Sequence, residues 1–230
     1  MIERLINERV FAVRSSDRLF NPYNDVDPEF DLPDADEIRR ANLLAYLDAC
    51  SSRPDLLLIA EAPGPHGCRF SGVPFASEEQ LVSGVFPFKG NQSSLAPTPY
   101  SEYSARIVWG LLAEHFSRVV IWNTVPMHPH KLGEPMSIRT PSTAEVREWS
   151  ALIPRIVEHF EPKTIGAVGR IAERACGYQG IECVYVRHPS QGGANLFREM
   201  VGASLRSAAI SAQRSEIRPS EAVSARTHLL

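Results

Sequence analysis

Apolar positions along this chain follow two rhythms, and their alternation predicts the fold. Four short runs are apolar almost without a break: DLLLIA at 55–60, RVVIWN at 118–123, KTIGAV at 163–168 and ECVYVR at 182–187. Runs of this length and density read as strands buried on both faces. Between them the apolar residues recur at helical spacing. Ile2, Leu5, Ile6 and Val10 predict a helix over 1–13. Asp34 followed by Glu37 starts another, continued by Ile38, Leu43, Leu44 and Leu47. Val108, Leu111, Leu112 and Phe116 mark a helix over 101–116. Ser142 with Glu145 forms a capping box before the stripe Val146, Trp149, Leu152, Ile153, Ile156 and Phe160. Pro154 should bend that helix, because it lacks an N–H and its ring crowds the carbonyl four residues back. A short helix through Cys176 and a final one over 195–209 complete the series.

Strand and helix thus alternate four times. This order predicts an α/β fold, a three-layer α/β/α sandwich with a central four-stranded parallel sheet. Residues 1–212 read as a single domain, and the polar, aperiodic segment 213–230 reads as a disordered tail. The segment 15–33 reads as an irregular connector. Residues 61–100 are rich in Gly, Pro and Ser, and a loop that long in a compact domain is expected to be functional. A shorter loop with Pro and His spans 124–140.

In such sheets the ligand sits beyond the carboxyl ends of the strands. The first strand runs into Glu61-Ala62-Pro63-Gly64, the second ends in Asn123, and the fourth runs into His188-Pro189-Ser190. A carboxylate, an amide and an imidazole would therefore meet in one crevice. Pro189 biases His188 toward an extended backbone and so aims its ring. Gln191-Gly192-Gly193 then lets backbone approach a ligand closely. Each residue also has a plainer role open to it. His188 could be satisfied by a carbonyl, Asn123 could cap a loop, Glu61 could brace a turn, and Phe75 could be core. Asn123 could equally read a planar ring through its donor and acceptor, and Phe75 could stack on one. His128 and His130 have no cysteine beside them to complete a metal site.

Composition narrows the partners. With 43% hydrophobic and 22% charged residues, the 230-residue chain is an ordinary globular sequence. A net charge of -3 gives no bulk attraction to nucleic acid, so a polyanion site must come from local arrangement. The four cysteines, Cys50, Cys68, Cys176 and Cys183, form no C-x-x-C pair and read as reduced thiols. The amphipathic start MIERLINERV does not resemble a signal peptide, and no run is long enough to span a bilayer.

Together, LLLIAEAPGPHGCRFSGVPF, VVIWNTVPMHPH and RHPSQGGANLF resemble the first motif, the base-reading asparagine and the second motif of the uracil-DNA glycosylase superfamily, over roughly residues 55–200. The closest likeness is to the branch with an E-A-P-G first motif. Relatives there often hold an iron–sulfur cluster with two cysteines near the N-terminus. No cysteine precedes Cys50 here, so no cluster, and no metal or organic cofactor, is expected. The resemblance implies a DNA repair enzyme that takes uracil-containing DNA as its partner and turns the uracil nucleotide into a pocket. The sequence is silent on oligomeric state, so a monomer is the default expectation, located in the cytoplasm and at the nucleoid if bacterial. Phe75 would stack on the base, Asn123 would read its O4 and N3 edge, and His188 would donate to O2. Glu61 would hold the attacking water, with Ala62 and Gly64 against the base. Arg69 and Ser190, Gln191, Gly192 and Gly193 would meet DNA. Lys89, Lys131, Arg139, Arg187 and Arg198 lie near the crevice mouth in sequence.

Two positions depart from the resemblance. Many relatives carry an acidic or amide residue where this chain has Ala62. Some carry a tyrosine, excluding thymine's methyl, where it has Gly64. The first departure keeps open a uracil-DNA binder with little catalysis. The second keeps open other deaminated bases such as hypoxanthine. A small-molecule enzyme is a third reading, weakened by the absence of a Gly-rich phosphate loop after the first strand.

Overall fold

The computed structural model describes residues 2–217, with side chains through 208. Helix α1 (Ile2–Ile6) widens into a π-helical turn, Asn7–Phe11, that buries Val10 and Phe11. The short strand β1 (Leu19–Phe20) follows, then α2 (Ala35–Ala49) and β2 (Leu56–Ala60). Two short helices come next, α3 (Cys68–Ser71) and α4 (Glu78–Val82), then α5 (Tyr103–Leu112) with a 3-10 extension to Arg118. Strand β3 (Val119–Asn123) leads to the short β4 (His128–Pro129). The remaining elements are α6 (Thr143–Ser150), α7 (Ile153–Phe160), β5 (Thr164–Val168), α8 (Arg170–Tyr178), β6 (Val184–Val186) and α9 (Ala194–Ile217). Helix α9 runs past the expected end at 209, and residues 218–230 of the expected tail lie outside the described residues.

The main sheet has the strand order β3-β2-β5-β6 and is parallel throughout. Every residue of β2 and β3 is buried, as their unbroken apolar runs require. Helices flank the sheet: α8 packs on β5 and β6, and α9 on β2, β5 and β6. At Gly166 of β5 an added Cβ would meet Leu58 Cδ2 at 2.8 Å, so a glycine admits the large side chain of the neighbouring strand. Pro154 does more than bend its helix. The chain breaks at Ala151 and Leu152, and Pro154 sits in the first turn of α7, where a missing N–H costs nothing. Among the described residues no helix is long and apolar enough to cross a membrane.

The long loop after β2 is organised around a buried carboxylate. Glu78 Oε1 accepts the N–H groups of Ser93 (2.7 Å) and Ser94 (2.9 Å), while Oε2 accepts Ser94 Oγ (2.7 Å) and the N–H of Tyr100 (3.1 Å). One side chain thus folds the return path of the loop onto the helix that carries it. The connector before α2 is also tied down. Strand β1 pairs with β4, and Asn21 Nδ2 donates to the carbonyls of Val10 and Val13.

Candidate active site

Strand ends and flanking loops surround an open cleft of about 590 Å³ at the carboxyl edge of the main sheet. Ala60, the last residue of β2, is in register with Asn123, the last of β3. Pairing continues beyond the strands, with Thr124 N–H donating to Ala60 O (2.8 Å) and Val125 N–H to Glu61 O (3.0 Å). Glu61 and Asn123 therefore leave the sheet at the same level, and both line the cleft. Asn123 is buried, and its Nδ2 donates to Cys68 Sγ at 3.4 Å. Its Oδ1 accepts nothing from the described residues. The Glu61 carboxylate has no hydrogen-bond or ion-pair partner among them, and burial pushes it above the usual range.

The E-A-P-G loop is clamped from below by His128. Its Nδ1 lies 2.8 Å from Pro63 O and its Nε2 lies 3.1 Å from Pro135 O. Burial lowers this imidazole to about 4, so the ring is neutral at neutral pH and donates to one of the two carbonyls. His130 is engaged separately, with Nδ1 at 3.0 Å from Lys131 O.

His188 enters from the far side. The backbone N–H of Ser190 donates to its Nδ1 at 3.2 Å, and Ser190 Oγ lies 2.7 Å from the same atom. A backbone N–H can only donate, so Nδ1 is an acceptor and the neutral ring carries its proton on Nε2. Burial, and after it the positive charge of Arg187, lowers the His188 pKa and favours that neutral form. Phe75 stands next to it, ring centroids 5.6 Å apart at 38°. Phe75 has φ +54°, in the left-handed region that bulky residues avoid. Ser71 braces the turn that holds it there, donating to the carbonyls of Val73 and Ala76.

Glu61, Ala62, Gly64, Phe75, Asn123, His188, Ser190 and Gln191 all line the one cleft. Gly192 and Gly193 do not: Gly192 faces open space with φ +75°, and Gly193 is buried behind His188. Arg69 corrects the sequence reading. Its side chain is fully buried, ion-paired to Asp31 at 2.7 Å and stacked on Phe70 and Phe20 at 4.1 and 4.6 Å. Asp31 also takes Arg39 at 3.0 Å. A guanidinium so held is a structural ion and cannot reach a phosphate. Of the other basic residues named from sequence, Arg139 and Arg187 line the cleft, and Arg170 joins them. Arg139 is paired with Glu145 and Arg170 with Glu173. Lys89, Lys131 and Arg198 are exposed and stand outside the lining.

Several residues of the lining carry no direct site signal in the sequence, and Glu102 is the charged one set against the E-A-P-G loop. It occupies the N-cap position of α5 yet makes no side-chain cap bond. Its carboxylate is turned toward the E-A-P-G loop and accepts the hydroxyl of Ser104. Burial raises its pKa. The only sequence signal was indirect: Gly64 and Gly67 open the space it fills. A Cβ would lie 3.0 Å from Glu102 Oε2 at Gly64 and 1.6 Å from it at Gly67.

Comparisons with known proteins agree with this fold. Among solved structures, wild-type SMUG2 of Pedobacter heparinus superposes with a TM-score of 0.53. The match covers 94% of this chain and 96% of that one at 15% identity, a likeness of fold. No curated protein matches the chain. The sequence profile of the uracil DNA glycosylase superfamily matches residues 47–212, which take in all three motifs and every residue lining the cleft. This chain belongs to the uracil DNA glycosylase superfamily.

Proposed function

We propose that this DNA glycosylase removes uracil, hydrolysing the N-glycosidic bond of deoxyuridine and leaving an abasic site. The observation that carries the reading is the convergence of Phe75, Asn123 and His188 on one cleft. The ring of Phe75 offers a face to a flipped base. Asn123 Oδ1 accepts from N3–H and Nδ2 donates to O4, exchanging its weak bond to sulfur for a stronger one. His188 Nε2–H donates to O2.

As the bond from C1′ to N1 breaks, the sugar gains oxocarbenium character and uracil leaves as an anion with charge on O2. A neutral, preoriented N–H donor aimed at that oxygen is worth about 3 kcal/mol where the charge develops. Water adds to C1′ and gives up a proton to the Glu61 carboxylate, whose raised pKa makes it the better base. Glu61 takes this role alone, because Ala62 has nothing to contribute to the water.

The test is base release from an oligonucleotide with a single deoxyuridine. An alkali-labile site should form, and His188→Ala should slow its formation at least tenfold. No abasic product from either single- or double-stranded substrate refutes the proposal. Ala62 in the cleft lining favours one second reading, a binder that holds uracil-containing DNA without cleaving it. A band shift without release of free base on the same sample identifies that case.

A further inference from the structure

We infer that Glu102 is the residue that distinguishes uracil from thymine. The inference rests on the uracil reading above and adds a specificity-determining residue to it. Removing uracil while sparing the far more abundant thymine means telling apart two bases that present the same O2, N3–H and O4. The two bases differ by one methyl at C5. Asn123 and His188 therefore cannot separate them, and the discriminating wall must stand against C5.

Chemistry locates that wall. Around the ring, O2, N3, O4 and C5 follow in order. With O2 at His188 and the N3–O4 edge at Asn123, C5 falls beside Asn123 on the side away from His188. Phe75 lies on the His188 side. On the other side Asn123 touches Cys68, and Cys68 feels the charge of Glu102. This stretch of wall carries no side chain at Gly64 or Gly67. The room those glycines leave is taken by the Glu102 carboxylate, 3.0 and 1.6 Å from the positions a Cβ would occupy. The Ser104 hydroxyl holds one of its oxygens, so the group is braced.

A C5–H meets a carboxylate oxygen without penalty, as a weak C–H donor. A methyl in the same place overlaps a braced group and strips water from a charge. An apolar pocket alone discriminates one methyl by only about 10- to 200-fold. A polar wall raises that.

The experiment uses the full chain and two oligonucleotides of one sequence, carrying uracil or thymine opposite guanine. The readout is the thymine-to-uracil ratio of kcat/KM. Glu102→Ala should raise the ratio at least fivefold, and the isosteric Glu102→Gln should keep it within threefold of wild type. A smaller rise in a folded, uracil-active Glu102→Ala protein overturns the inference, as does an equal rise in Glu102→Gln. Should Glu102→Ala fail to fold, Glu102→Asp, one methylene shorter, should raise the ratio at least threefold, and a smaller rise overturns the inference. Wild-type uracil release is read in the same assay, so its absence points to the functional reading instead.

Discussion

Gly193→Ala tests how tightly the imidazole loop is held. Gly193 is buried, and an added Cβ would lie 2.0 Å from His188 O, 3.1 Å from Ser190 O and 3.1 Å from Arg187 Cγ. Carbon and oxygen need a little over 3 Å, so the methyl forces a shift of about 1 Å. Gly193 itself is anchored. Its N–H donates to Ser190 O at 3.0 Å, and its carbonyl accepts Phe197 N–H at 2.9 Å at the start of α9. The displacement therefore falls on His188. A misplacement of about 1 Å can cost on the order of 100-fold in rate. Overpacking costs about 1–3 kcal/mol of stability, which lowers Tm by roughly 2–4 °C per kcal/mol in a chain of this size. The assay pairs single-turnover base release with thermal melting followed by circular dichroism. Gly177→Ala in α8, where the added methyl meets nothing within 4 Å, is the control. Base release within threefold of wild type in Gly193→Ala refutes the reasoning, because the loop would then yield without moving the ring.

Two further outcomes follow from charges that the fold holds in place. Asp31→Asn removes the anion shared by Arg39 and Arg69, leaving both guanidiniums buried without it. Urea denaturation should report a loss of about 3–5 kcal/mol, and a loss under 1 kcal/mol would show the pair to be solvated. Because burial and the charge of Arg187 lower the His188 pKa, its ring stays neutral through neutral pH, and base release should fall only on the acid side of the usual histidine range as Nδ1 gains a proton and loses the Ser190 N–H bond. Arg187→Gln removes one cause of that lowering and should move the acid limb upward, and a limb that stays or moves down contradicts the assignment.

Strands β2 and β3 were legible because both of their faces are buried, which leaves no polar position to break the apolar run before Asn123; β5 is buried only over residues 166–168 and was legible from its apolar second half. Strand β6 was legible only in outline: it covers Val184–Val186, and Val184 is exposed at the sheet edge. The loop 61–100 hid its order because its organiser, Glu78, looks like any acidic residue in a first helical turn. Its four hydrogen bonds go to residues 15 to 22 positions away, beyond any local pattern. Arg69 misled for the same reason. It follows the motif loop like a phosphate ligand, but its counter-ion lies 38 residues upstream in a connector that reads as irregular. Asn123 and His188 were legible because strand ends and a following proline mark them. Glu102 was not, since a carboxylate at a helix start is normally spent on the cap.

Asp31 also lies outside the stretch 47–212 that the family shares, while the Arg69 it neutralises lies inside. Leu19 and Phe20, likewise outside, seat on Pro129 and His128, and His128 supports Pro63. The inherited module and the folding unit therefore have different borders. A fragment trimmed to the shared stretch would retain every reactive side chain yet lose the scaffold beneath them, so an expression fragment of this protein has to begin upstream of the first paired strand.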